Sequence, residues 1–313
     1  MPESVAIVGA GVSGLTCGVV FAERGYRTAI FAKEVAQQTT SGAAAAVWFP
    51  YDVEPVERVI PWALATHETL VDLCQDSAAG VSIIELRQFS RTKEIQIPDW
   101  AIPLGACPVA TGLSPLFKSG FSLRVPLTDT TIYLDYLADR FQKVGGSITR
   151  NARFEKLEDV DRTFDLVINC GGIGARELVQ DVDLEPHRGQ VAIVPKVNNL
   201  SCAIVCDDAP LMYAIPRAND CVFGGTNEIS DDRAVDPTNT RRIIAECGRV
   251  LDIEKPTVLA ERVGLRPFRK SGVRVERDQL RDGRTVIHNY GHGGAGFTLS
   301  WGCAREVLDL AKL

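Results

Sequence analysis

The chain has no long hydrophobic run. Near its N-terminus the longest apolar stretch is Val5-Ala-Ile-Val8. That is far too short for a signal-peptide core or a bilayer span, so a soluble protein is expected. It has no excess of positive charge either. A net charge of −6 argues against nucleic acid as the main partner, because binding phosphates needs a basic surface. Its nine cysteines form no Cys-x-x-Cys pair, and the closest, Cys202 and Cys206, have no histidine beside them to complete a metal site. Free thiols in a reducing compartment, the cytoplasm, are expected. The closing tripeptide Ala311-Lys312-Leu313 is similar to a Ser-Lys-Leu peroxisomal address, which leaves the peroxisome as an alternative. Internal repeats and low-complexity linkers are absent.

A length of 313 residues is comfortable for two domains and buries a large core without disulfides or metals. Val5–Val8 reads as a buried strand, Gly9-Ala-Gly-Val-Ser-Gly14 as a tight turn, Leu15 to Gly25 as a helix and Thr28 to Ala32 as a second strand. Together they make a βαβ unit. Further helices are expected over Pro61 to Cys74, Thr131 to Val144, Thr238 to Val250 and Thr298 to Leu310. Ser82 to Val125 reads as mixed sheet with loops, and Gln190 to Val205 and Cys221 to Gly225 as strands. Asp165 to Gly172 and Thr285 to Tyr290 are strands that run into glycines. The first, middle and last segments have nucleotide-domain character and the stretches between them look like sheet. The expected fold is therefore α/β: a Rossmann-like domain (1–50, 143–190 and 271–313) interleaved with a mixed-sheet α+β domain (51–142 and 191–270).

Gly9-x-Gly11-x-x-Gly14 between a strand and a helix is the fingerprint of a dinucleotide site. Gly9 permits the turn, Gly11 lets backbone amides approach a pyrophosphate, and Gly14 lets the helix pack on the sheet. Ala10, Val12 and Ser13 complete the turn, whose helix N-terminus offers its positive dipole end to phosphate. Glu34, one place after Lys33 at the end of the second strand, is the candidate for a ribose hydroxyl. Lys33 is the competing hint of a 2′-phosphate. Two further glycine-bearing strand ends, at Gly171 and at Gly291 to Gly296, exceed what a nicotinamide fold needs and favour an extended FAD.

Several motifs then resemble the D-amino-acid oxidase family in order along essentially the whole chain. They are the glycine turn, Thr39 to Tyr51, Arg188-Gly-Gln190, Tyr213-Ala-Ile-Pro-Arg217, Gly264-Leu-Arg-Pro-Phe-Arg269, His288 to Gly296 and Trp301-Gly-Cys-Ala304. The resemblance implies that Thr40, Ser41, Gly42, Ala45, Ala46 and Val47 pack along the cofactor. Phe154, Gly171, Gly293, Gly294, Gly296 and Thr298 complete its contacts. It implies that Arg266 clamps a substrate carboxylate, which a planar guanidinium does well. Tyr213 would hold the same carboxylate, the Gly294 carbonyl would take the amino group, and Phe49 and Ile215 would line the side-chain pocket. For Arg266 the competing reading is a structural pairing with Glu261 or Glu276.

Many members of that family carry a second tyrosine on a mobile lid, four residues before the first; here Ala209 stands in its place. The D-aspartate branch has an extra basic residue nearby, where this chain has Asp207 and Asp208. Neutral or basic D-amino acids are therefore expected rather than acidic ones. The implied reaction is hydride transfer from Cα to flavin N5 without a dedicated base, with oxygen as acceptor and a 2-oxo acid, ammonia and hydrogen peroxide as products. His292, between glycines, is read as shaping the loop. Three alternatives stand beside this: a glycine or sarcosine oxidase, a flavin amino-acid dehydrogenase and a non-enzymatic flavin carrier. Dimerisation is left open.

Overall fold

A computed structural model of the chain describes residues 3–51, 53–109 and 116–313. In chain order its first half contains β1 (Ser4–Ala10), α1 (Val12–Ala22), β2 (Arg27–Val35), α2 (Val56–Leu73), β3 (Val81–Ser90), β4 (Cys107–Pro108), β5 (Ser119–Thr128), α3 (Thr130–Lys143) and β6 (Ser147–Arg150). Then follow β7 (Leu166–Asn169), α4 (Ala175–Leu178), β8 (Leu184–Pro195), β9 (Cys202–Cys206), β10 (Met212–Pro216), β11 (Asp220–Gly224) and β12 (Glu228–Ile229). The chain closes with α5 (Pro237–Leu251), β13 (Ala260–Arg269), β14 (Arg274–Gln279), β15 (Thr285–Tyr290) and α6 (Gly296–Leu310).

Two sheets organise these elements. The first is six-stranded in the order β14-β15-β7-β1-β2-β6, parallel except for β14. Its central strands are almost entirely apolar because helices cover them. The helices α1, α2, α3 and α6 pack on one another beside it. Small residues permit that closeness: a Cβ on Gly302 of α6 would stand 2.2 Å from the Trp62 carbonyl of α2. Trp301 is buried there, donating from Nε1 to the Tyr133 hydroxyl at 2.8 Å. The motif Trp301-Gly-Cys-Ala304 is thus a helix-packing device.

The second sheet is nine-stranded, mostly antiparallel, in the order β12-β8-β11-β10-β9-β3-β5-β4 with β13 also on β8. Strand β8 pairs with β13 without interruption from Leu184 to Ile193. The sequence-drawn junction at 190/191 therefore lies inside a strand, which belongs whole to the second sheet. Helix α3, grouped with the second domain from sequence, packs against α1 because Tyr133, Leu134, Leu137 and Phe141 bury toward the first sheet's helices. Residues 110–115 of the expected sheet-and-loop stretch lie outside the described residues.

Candidate active site

A cavity of about 800 Å³ runs between the two sheets. At the C-terminal end of β1 the turn to α1 forms its floor. Gly9 has φ +110°, and a Cβ there would stand 2.3 Å from the Cys170 carbonyl. Gly14 supports the turn from behind: its Cβ would lie 1.9 Å from the Gly9 carbonyl. Gly11 is different, since a Cβ would meet nothing closer than the Ser41 hydroxyl at 3.1 Å. It keeps the turn low and open to the cavity. The first amides of α1 have no intrahelical acceptors. That of Val12 is met by the Ser41 hydroxyl at 3.0 Å.

The residues expected from sequence divide cleanly. Gly9, Ala10, Gly11, Val12, Lys33, Glu34, Thr40, Ser41, Ala45, Ala46, Val47, Phe154 and Gly171 all line the cavity. So do Gly293, Gly294, Gly296 and Thr298, together with Phe49, Tyr213, Ile215 and Arg266. Ser13, Gly14 and Gly42 do not; they sit behind the wall. Gly42 is packed so close to the Gln37 backbone that a Cβ would stand 2.3 Å from its carbonyl. Thr298 pins Phe49 by a reciprocal pair, taking its amide at 3.1 Å and donating to its carbonyl at 3.0 Å.

Around Glu34 the cavity carries charges that no motif revealed. Arg233, from the loop after β12, donates to Glu34 at 3.2 Å, and Arg176 pairs with Asp231 at 2.9 Å. Arg188-Gly-Gln190 explains how that loop is held. The buried Arg188 donates to the carbonyls of Asp232 at 3.0 Å and Ala234 at 2.6 Å, and Gln190 donates to the Asp236 carbonyl at 2.9 Å.

Arg266 of β13, Tyr213 of β10 and Gly294 meet elsewhere on the wall. The Arg266 guanidinium lies over Gly189, where a Cβ would come within 2.4 Å of it. It donates to the Thr226 carbonyl at 2.9 Å and reaches Asn227 Oδ1 at 3.4 Å. Neither acidic alternative claims it: Glu261 takes the Thr240 hydroxyl, and Glu276 pairs with Arg274. A Cβ on Gly294 would lie 3.7 Å from Arg266 Cδ, so the two are neighbours. The ring of Tyr213 lies across Gly224, whose Cβ would come within 2.0 Å of Cζ. Burial pushes the Tyr213 phenol up, with Arg266 opposing through charge and a hydrogen bond. The group stays a neutral donor. His292 is buried, held by Asn289 Oδ1 at 3.0 Å, and burial lowers it to about 4. It is neutral in the folded protein.

A glycine turn under a helix N-terminus, an acidic residue at the end of the second strand and a cationic carboxylate site thus share one cavity. Over residues 4–310 the sequence matches the family described as FAD dependent oxidoreductase. The chain belongs to that family. It is a flavin-dependent oxidoreductase of mixed α/β fold. It is 36% identical to the D-amino-acid oxidase of Rubrobacter xylanophilus, over 97% of this chain and 94% of that one. To the D-amino-acid oxidase of Streptomyces coelicolor it is 37% identical, over 98% and 96%. Glycine oxidase from Geobacillus kaustophilus has the same fold, with a TM-score of 0.84 at 19% identity, over 99% of this chain and 94% of that chain. Among the described residues no helix is long and apolar enough to cross a membrane.

Proposed function

We propose that this member of the family is a D-amino-acid oxidase that uses FAD, and that Arg266, Tyr213 and Gly294 hold its substrate. The observation that carries the reading is the seating of Arg266 over Gly189, beside Gly294, with no ion pair to an acidic side chain among the described residues. Similarity to two D-amino-acid oxidases over nearly their whole length supports the substrate class. The cavity suits FAD: Gly11 leaves the turn open, and Glu34 stands at the end of β2, where a ribose hydroxyl would lie. FAD, when bound, supplies the two-electron acceptor that oxygen then regenerates, releasing hydrogen peroxide.

The chain's own residues bind and aim. Arg266 forms the two-point pair with the α-carboxylate, and Tyr213 donates its phenol proton to the same group. The Gly294 carbonyl accepts from the α-amino group, which orients the α-hydrogen. Phe49 and Ile215 contact the side chain. No base is required, and His292, buried and held by Asn289, positions the loop. The six-stranded sheet with its helices serves the cofactor, and the nine-stranded sheet serves the substrate. Nine free thiols support a reducing compartment, the cytoplasm.

The test is peroxide release from purified yellow protein across paired D- and L-amino acids. Activity confined to D-isomers is expected, with Arg266→Ala lowering kcat/KM by about a thousandfold, of order 4 kcal/mol. Flavin reduction without peroxide would point to a dehydrogenase, and a colourless protein would sink the flavin reading.

A further inference from the structure

The candidate substrate site is assembled from two separate sheets. Arg266 comes from β13 of the nine-stranded sheet, and Gly294 from the loop after β15 of the six-stranded one. Their relation therefore depends on how the ends of β13 and β15 are joined. Backbone contacts make part of that join: the Gly293 amide donates to the Pro267 carbonyl at 2.9 Å, and Phe268 bridges to His292. Gly291, at φ +83°, passes close to the Arg269 stem, where a Cβ would stand 2.9 Å from Arg269 Cβ.

Behind the join, a single carboxylate oxygen ties the two strands together. Asp181 Oδ2 accepts from Arg269 Nε at 2.8 Å and from the Tyr290 hydroxyl at 2.6 Å. Arg269 follows Arg266 by three residues on β13, and Tyr290 precedes Gly294 by four. The other oxygen, Oδ1, takes the Asp183 amide at 3.1 Å, just before β8, the strand on which Arg266 is seated. Tyr290 is fixed in turn by Arg274 Nη1, which donates to its hydroxyl at 2.7 Å. The Asp181 side chain is 6% exposed and Tyr290 is fully buried. Burial opposes the ionisation of Asp181, but hydrogen bonds from Tyr290 and Arg269 outweigh it and hold the carboxyl below its ordinary value. The bridge is ionic and shielded from solvent. Asp181, Arg269 and Tyr290 do not line the cavity, so none of them touches a substrate there.

We propose that Asp181, Arg269 and Tyr290 are positioning residues for the reaction, their bridge setting Gly294 against Arg266 and so aiming the α-hydrogen. The inference rests on the D-amino-acid oxidase reading above. A D-amino acid spans the join, with its carboxylate on Arg266 and Tyr213 of the nine-stranded sheet and its amino group on the Gly294 carbonyl. A ligand with a carboxylate alone engages one side only. Loosening the bridge therefore leaves carboxylate binding intact and spoils the angle at which the α-carbon is presented. A buried, fully hydrogen-bonded network can carry position in this way because it has few alternative arrangements.

The experiment uses the FAD-loaded wild type, Tyr290→Phe and Asp181→Asn. One measurement is the rate of anaerobic flavin reduction at saturating D-alanine. The other is the Kd of benzoate, a carboxylate with no amino group, read from the change it makes in the flavin spectrum. Tyr290→Phe removes one hydroxyl and keeps the ring; Asp181→Asn keeps the shape and removes the charge. Each is expected to slow reduction about tenfold and to leave the benzoate Kd within about twofold of the wild type. Reduction at the wild-type rate would overturn the proposal. So would benzoate binding weakened as much as reduction is slowed, since the clamp itself would then have moved. Should Asp181→Asn fail to fold, Tyr290→Phe, a smaller change at the same oxygen, decides. A wild type that no D-amino acid reduces overturns the oxidase reading together with this one. Reduction by D-alanine that Tyr290→Phe leaves at full rate overturns only the positioning role.

Discussion

Arg266 is seated on a residue with no side chain. Its guanidinium lies so close over Gly189 of β8 that a methyl group there would stand 2.4 Å from it. β8 and β13 pair rigidly along this stretch, Gly189 opposite Gly264. The guanidinium has no room to sink lower. Gly189→Ala should therefore lift the carboxylate clamp out of register without touching the cofactor turn. We expect kcat/KM for D-amino acids to fall by about a hundredfold, the scale of an ångström-sized misplacement. Flavin content should match the wild type. Unchanged kinetics in a protein of normal flavin content would show that the clamp tolerates displacement.

Two buried histidines make the fold acid-sensitive. Burial lowers both His288 and His292 to about 4, from an ordinary value of 6.5. Between those values the unfolded chain binds more protons than the folded one, so stability falls as pH falls. The loss is complete below about pH 4 and amounts to roughly 3 kcal/mol for each group. Thermal unfolding from pH 8 to 4.5 should show Tm steady above pH 6.5 and declining beneath it. The carboxylates held low by hydrogen bonds, such as Asp165 and Asp208, titrate only at lower pH, while burial lowers the half-buried His67 as well, so that it adds to the same decline. His292→Asn should lessen the decline and leave the share of His288, and a flat wild-type profile would contradict the assignment.

Arg217 ends the same motif that begins with Tyr213, yet it serves the fold. Its side chain is 1% exposed and makes two bonds of 2.7 Å to Asp220, with Asp129 at 3.6 Å. Removing one partner strands a buried charge. Asp220→Ala should cost about 3 kcal/mol and lower Tm by several degrees. The KM for a D-amino acid should not change in the folded fraction, because Arg217 does not line the cavity. A shift in KM comparable to that of a clamp variant would show that the pair also sets the substrate wall.

The βαβ unit was legible because its signals are local. An apolar tetrad, a glycine turn and a helix follow one another within a few residues; the structure lengthens both strands, and it starts α1 three residues earlier than expected, at Val12, and ends it three earlier, at Ala22. Strand β13 was not legible as a strand. Its residues Ala-Glu-Arg-Val-Gly-Leu-Arg-Pro-Phe-Arg contain a proline and charges on both faces, and only Gly264 and Leu265 are buried. It is extended because β8 supplies its hydrogen bonds along its whole length, a long-range effect no window reports. Helix α2 began earlier than expected, at Val56, with Pro61 inside it, since packing on α6 overrides the local break.

The motifs likewise mixed two kinds of residue. Arg188-Gly-Gln190 looked like a single signature, but Arg188 and Gln190 tie down the loop from Asp232 to Asp236, while Gly189 makes room for Arg266. Sequence by itself determined the glycine turn, the mixed α/β character and the identity of Arg266 and Tyr213 as candidates, because each is carried by residue type over a short span. Only the tertiary structure decided which residues face one another across the cavity. Arg233 meets Glu34 from 199 positions away, and Asp207 turns inward while Asp208 turns to Ser90. Those choices are made by strand register and loop anchoring, which depend on the whole chain at once.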